Sequence, residues 1–146
     1  MPAKHHLQRL RGLHPLHALL LAFPIAFLSA ALASDITYLN TAEIQWSNFS
    51  AWLLAGAALF GAVVVIWGFA AWLSNRRHGR GGWSLAYLIL VLLMWVTSVL
   101  NSFQHSRDGW SSVETTGLLL SILGTLLALA AGWIGYAGVP RREVLP

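Results

Sequence analysis

Four stretches of this chain, 13–33, 51–73, 83–103 and 116–139, contain no Asp, Glu, Lys or Arg. At 1.5 Å per helical residue, about 20 residues cross a hydrocarbon core of roughly 30 Å, and each stretch reaches that length. None shows the apolar/polar alternation of a barrel strand, and a backbone in lipid must pair its own N–H and C=O groups, so helices are the expected form. The expected fold is therefore all-α, an integral membrane four-helix bundle forming a single transmembrane domain over residues 1–146. Composition agrees: only 10% of residues are charged, against about a quarter in soluble domains, too few to hydrate an outer surface.

The distribution of cations predicts the orientation. Lys4, Arg9 and Arg11 precede the first stretch, Arg76, Arg77 and Arg80 join the second and third, and Arg141 and Arg142 follow the fourth, leaving Arg107 alone on the other side. Basic loops stay cytoplasmic, so both termini are expected inside and the loops around Asp35–Asn48 and Gln104–Thr115 outside, with Asp35, Glu43, Asp108 and Glu114. Trp46, Trp52 and Trp110 then fall at the outer interface, and Trp72, Trp83 and Tyr87 near the inner one, the depth that amphipathic rings prefer. The net charge of +4 is spread over these short clusters, which points to topology and away from nucleic acid. The first stretch, with Ala31-Leu32-Ala33 before Ser34, also fits a cleavable secretory signal, but it exceeds the 7–15 residues of a usual signal core and holds Pro24, so an uncleaved helix is expected.

Within the spans, small residues predict close packing. Gly124, Ala128 and Gly132 recur every four residues, with Gly117, Ser121 and Gly135 nearby, and Ala57 and Gly61 repeat that spacing in the second helix; packing inside the bundle is expected over a dimer seam. Thr97, Asn101 and His105 lie at i, i+4 steps with Ser98 one residue off, a polar stripe that should face protein, bonded to Ser and Thr of the fourth helix. His105 is expected at the outer interface, free of a fixed partner. Pro24 should bend the first helix, and the Trp95 N–H, near the middle of the third, needs a partner.

His14 and His17 stand three apart at the start of the first helix, with both imidazoles near one face. Such a pair suits a divalent metal, or haem b with one histidine on the iron and the other on a propionate; the alternative is a polar cap and a bond to a neighbouring helix. His17 lies one turn deeper, where an unpaired imidazole costs more, and is the preferred ligand. Two axial haem ligands cannot come from one helical turn, and His5, His6, His78 and His105 are poorly placed, so a dimer would supply the second. The chain has no cysteine, which excludes disulfides, thiolate metal sites and cysteine nucleophiles.

His14-Pro15-Leu16-His17, followed by Phe23-Pro24-Ile25 and Asp35, together with Leu120-Ser121-Ile122-Leu123-Gly124 and Gly132-Trp133-Ile134-Gly135, resembles a family of uncharacterised bacterial membrane proteins, domain of unknown function 2231. The resemblance spans nearly the whole chain. It implies a four-helix membrane unit and, through members fused to Rieske or cytochrome c modules, contact with electron transfer. Where relatives commonly continue through Gly-Gly and a Tyr-Arg-His-Gly-type stretch, this chain reads Gly135-Tyr136-Ala137-Gly138-Val139-Pro140, without the terminal histidine.

No nucleophile with its base, phosphate loop or pair of intramembrane carboxylates is legible, so no catalytic residue is assigned and independent enzymatic activity is not expected. Three functions stay open: an accessory or scaffold subunit of the bacterial inner membrane, a redox-associated protein binding haem or metal through His14 and His17, and a small transporter. The expected surroundings are the lipid bilayer, with a homo-oligomer or a redox membrane complex as the partner.

Overall fold

A computed structural model describes residues 13–76, 81–107 and 113–137, with the side chains of 81–83 excepted. It contains four helices, α1 (Pro15–Thr41), α2 (Ile44–Arg76), α3 (Gly81–His105) and α4 (Thr115–Ala137), and no strand among the described residues. Pro15 opens α1, and the His14 side chain accepts a hydrogen bond from the Leu16 N–H, so the expected cap is formed. Ala42 ends the helix in the left-handed conformation, φ 56°, with its N–H on the Tyr38 carbonyl. α1 continues unbroken on both sides of Pro24.

The helices outrun the apolar stretches at the α1–α2 corner. The segment expected as an outer loop from Asp35 is mostly helix: α1 runs to Thr41 and α2 starts at Ile44. Local bonding explains the extension, since Thr37, Asn40 and Thr41 each bond the carbonyl four residues back, a helix-compatible use of these side chains. Asp35 consequently sits inside α1 and fully buried, a correction to its expected place in a solvated loop. The assignments made to His5, His6, His78, Asp108, Trp110 and the Trp83 side chain lie outside the described residues.

Large apolar side chains cover the surface, while the interior combines buried Leu, Val and Met with small and polar residues. Trp133 is 78% and Trp52 74% exposed, whereas the buried face of α4 is Gly117, Ser121, Gly124, Thr125, Ala128, Ala131, Gly132 and Gly135. Such a surface suits lipid, and all four helices are long and apolar enough to cross a membrane. The small-residue stripes pack inside the bundle as expected: a Cβ built on Gly124 meets Leu28 at 3.4 Å, and one on Gly61 meets Trp95 at 3.1 Å. Trp95 finds its partner there, donating from Nε1 to the Ala58 carbonyl at 3.0 Å.

Each helix packs on two neighbours, in the ring α1–α2–α3–α4, which leaves α1 diagonal to α3. Alternating direction makes these two parallel. Two polar pairs bridge this diagonal, His17 with Tyr87 and Asp35 with His105. Each pair is separated by the same 70 positions, so the bridges stand 18 residues apart on both helices. That is about five turns, or about 27 Å, which puts both bridges on one face of each helix at nearly a hydrocarbon thickness from one another.

Candidate functional site

The Asp35 bridge is the centre of a buried network that touches every helix. The Asp35 and His105 side chains are both 0% exposed, with Oδ1 3.0 Å from Nε2. Ser121 on α4 donates to the other oxygen, Oδ2, and Asn101 donates from Nδ2 to the Ser121 hydroxyl at 2.8 Å. The Ser50 hydroxyl of α2 lies 3.4 Å from both the Ala31 carbonyl and His105 Nε2. One turn further into the bundle Thr125 ties α4 to the Leu28 carbonyl of α1, and Ser98 bonds the Met94 carbonyl of its own helix.

Chemistry restricts how protons sit in this network. His105 Nδ1 is 3.0 Å from the Asn101 carbonyl, which can only accept, so Nδ1 carries a hydrogen. Nε2 is then free either to carry a second hydrogen, giving imidazolium beside carboxylate, or to accept one from a protonated Asp35. In both forms one proton is shared across the 3.0 Å contact and the pair is neutral as a whole. A neutral pair is the arrangement that lipid-embedded ionisable groups tolerate.

Ser50, His105 and Asp35 also have the composition of a hydrolytic triad, but not its connectivity. In a triad the acid holds Nδ1 and the hydroxyl faces Nε2. Here the carboxylate and the hydroxyl meet the same nitrogen, and Nδ1 faces a backbone carbonyl.

The polar stripe expected on α3 is thus buried, with Thr97, Ser98, Asn101 and His105 all facing protein, and the expected bond to α4 is made by Asn101. His105 is a correction: it does not sit free at the interface, because Asp35, which α1 carries in its own core-facing stripe, reaches it. A pocket of about 300 Å³, lined by Gln45, Ser47, Asn48, Ala51, His105 and Arg107 among others, lies next to this pair. The whole His105 residue is 5% exposed and its side chain 0%, so the pocket meets its main chain and stops just short of the ring.

The other bridge joins His17 Nε2 to the Tyr87 hydroxyl at 2.7 Å. His17 is buried and its Nδ1 has no partner; His14 is exposed, and both rings flank the indole of Trp67, at 5.4 and 5.6 Å between centroids. The interhelical bond and the cap expected as the alternative to a ligand site are both present. A haem does not fit this arrangement: Nε2, the unhindered nitrogen, is taken by Tyr87, and the Cβ substituent beside Nδ1 crowds a porphyrin plane. Among the described residues no three His, Asp or Glu gather around a common point.

Between the bridges the core is apolar. Leu21, Leu28, Leu54, Val64, Val91 and Met94 are 0–1% exposed, so among the described residues no continuous polar route connects the two centres.

Sequence reasoning missed the partners more than the residues. Asp35 had been noted for its motif, Ser121 for packing and Tyr87 for its depth, and Ser50 went unnoticed. The signal that joins them is the equal spacing of His17 to Asp35 and Tyr87 to His105.

No curated protein and no solved structure matches the chain. One family profile, described as predicted membrane protein (DUF2231), matches residues 13–144. That range takes in all four helices and both polar bridges, and the chain belongs to this family of membrane proteins.

Proposed function

We propose that this protein is an accessory membrane unit whose state is set by the proton shared between Asp35 and His105. The observation that carries this reading is the fully buried pair, able to hold one proton in two neutral arrangements and lying behind the wall of a pocket. Ionisable side chains inside a membrane protein mark functional sites by default, because a purely structural tie needs no titratable group. With both termini cytoplasmic, as the cations suggest, the pocket opens to the outer face of a bacterial inner membrane. The apolar middle of the bundle offers no passage for the proton, so uptake and release share one side. This supports a responsive element in a larger assembly over a transporter.

Few other groups can answer for a titration here. Ser47 and Ser50 of α2 and Ser121 and Thr125 of α4 do not titrate in the accessible range. Tyr38 is buried one turn beyond Asp35, while Glu43, Arg107 and Glu114 are exposed at the same end. The test is infrared difference spectroscopy on reconstituted protein as the pH is stepped across the range in which the bundle stays folded. The expected result is a carbonyl-stretch change of a buried carboxyl group that Asp35→Asn removes. A spectrum from Asp35 that stays constant throughout that range would mean the proton never leaves, and the pair is a structural tie.

A further inference from the structure

The His17 end of the bundle carries a second site. His17 is 2% exposed, and its Nδ1 is buried without any hydrogen-bond partner. A buried ring nitrogen left unpaired calls for something to bind it. Its other nitrogen, Nε2, lies 2.7 Å from the Tyr87 hydroxyl; in the tautomer where Nε2–H donates to that oxygen, as in a metal-ligating histidine whose free N–H is fixed by a neighbour, Nδ1 carries a lone pair with no partner. His14, one turn earlier, lies against the same face of the fold, since both rings flank Trp67.

We propose that His17 Nδ1 and His14 Nε2 form an open site for a divalent transition-metal ion, of which copper(II) is the strongest binder. Two imidazoles suit Cu²⁺, Ni²⁺ and Zn²⁺ and disfavour Mg²⁺ and Ca²⁺, and the Irving–Williams order places copper first. His14 Nδ1 now accepts from the Leu16 N–H at 3.3 Å. Binding through Nε2 moves the ring hydrogen to Nδ1 and gives up that long, weak cap. No third His, Asp or Glu stands by among the described residues, so water completes the coordination from the side of the exposed His14. The site is independent of the Asp35 pair, about five turns away on α1.

The experiment uses full-length protein in detergent carrying His5→Ala and His6→Ala, so that the N-terminal imidazoles do not bind. Cu²⁺ is titrated while tryptophan fluorescence and the electron paramagnetic resonance spectrum are followed. One ion per chain is expected, with nitrogen hyperfine structure and with quenching that Trp67→Phe abolishes, because Trp67 lies against both rings. His17→Ala should eliminate the site, and Tyr87→Phe, which removes only the oxygen that fixes Nε2–H, should weaken binding about tenfold to a hundredfold. Absence of binding in the His5→Ala/His6→Ala protein overturns the proposal, as does equal affinity in His17→Ala. If His17→Ala does not fold, unchanged affinity in both Tyr87→Phe and His14→Ala overturns it equally.

Discussion

Removing His105 should cost far more than neutralising Asp35, although both changes break the same contact. In Asp35→Asn the amide keeps an oxygen to accept from Ser121 and gains an N–H to donate to His105 Nε2, whose lone pair is available because Nδ1 holds the ring hydrogen against the Asn101 carbonyl. Every bond of the network has a counterpart, and the expected loss is at most about 1 kcal/mol. In His105→Ala the carboxylate stays in the core, 0% exposed, with only Ser121 to answer it. Breaking a buried pair in this way costs about 3–5 kcal/mol.

The double variant isolates the charge. His105→Ala leaves the same hole in either background, so the cavity contribution cancels between the two measurements, and the difference is the part that depends on Asp35 being ionisable. We expect His105→Ala to be less damaging by about 2 kcal/mol, roughly a 30-fold change in the folded to unfolded ratio, when Asp35 is already Asn. Reversible unfolding in mixed micelles, followed by circular dichroism, measures all four proteins. Protonation relieves the stranded carboxylate, so the single variant's loss should shrink as the pH falls. Equal costs in the two backgrounds, within about 0.5 kcal/mol, would show that no buried charge is stranded and refute the reading of the pair.

Gly61→Ala should destabilise the bundle by about 1–3 kcal/mol, because its Cβ would stand 3.1 Å from Cδ1 of a Trp95 ring that is pinned by its bond to Ala58; the same unfolding assay checks this. Ala51→Leu, which fills the pocket beside His105, should slow the hydrogen–deuterium exchange of the Asp35 carboxyl in infrared spectra, and an unchanged rate would place the proton's route elsewhere. A periplasm-active reporter is expected to work when fused after Thr41 and to fail after Gly79 or at the C-terminus, as the cation distribution requires; activity at Gly79 reverses the orientation.

The helices were legible because lipid imposes a simple rule: a backbone must satisfy itself over about 20 residues, and four uncharged stretches do so. Their ends were less legible. Asp35 looks like a loop residue when judged by hydropathy alone, since a window that penalises one carboxylate ends the span before it. What satisfies its buried carboxylate there is His105, 70 residues away, and pairing at that distance leaves no local trace. His17 shows the reverse. Its neighbours Pro15 and His14 announce the helix start and suggest a ligand, but only the fold reveals that Nε2 is taken by Tyr87 while Nδ1 is not.

The common register of the two bridges explains why both depend on long polar side chains. In a ring of four helices the diagonal pair stands too far apart for small residues to meet, and the centre must be filled either by bulky apolar groups or by side chains that reach across. Along α1 and α3 the middle uses Leu21, Leu28, Val91 and Met94, while each end uses a histidine with a partner. At five-turn spacing the two histidine bridges fall near the opposite edges of a hydrocarbon layer of about 30 Å, where water can come close to them from either side but not reach from one to the other. On the two proposals made above, each bridge would bind its own small ligand, a proton at Asp35 and an ion at His17, without opening a leak. Any influence of one centre on the other has to travel through α1 and α3 as rigid bodies, because the apolar layer at Leu21, Leu28, Val91 and Met94 interrupts the polar groups between them.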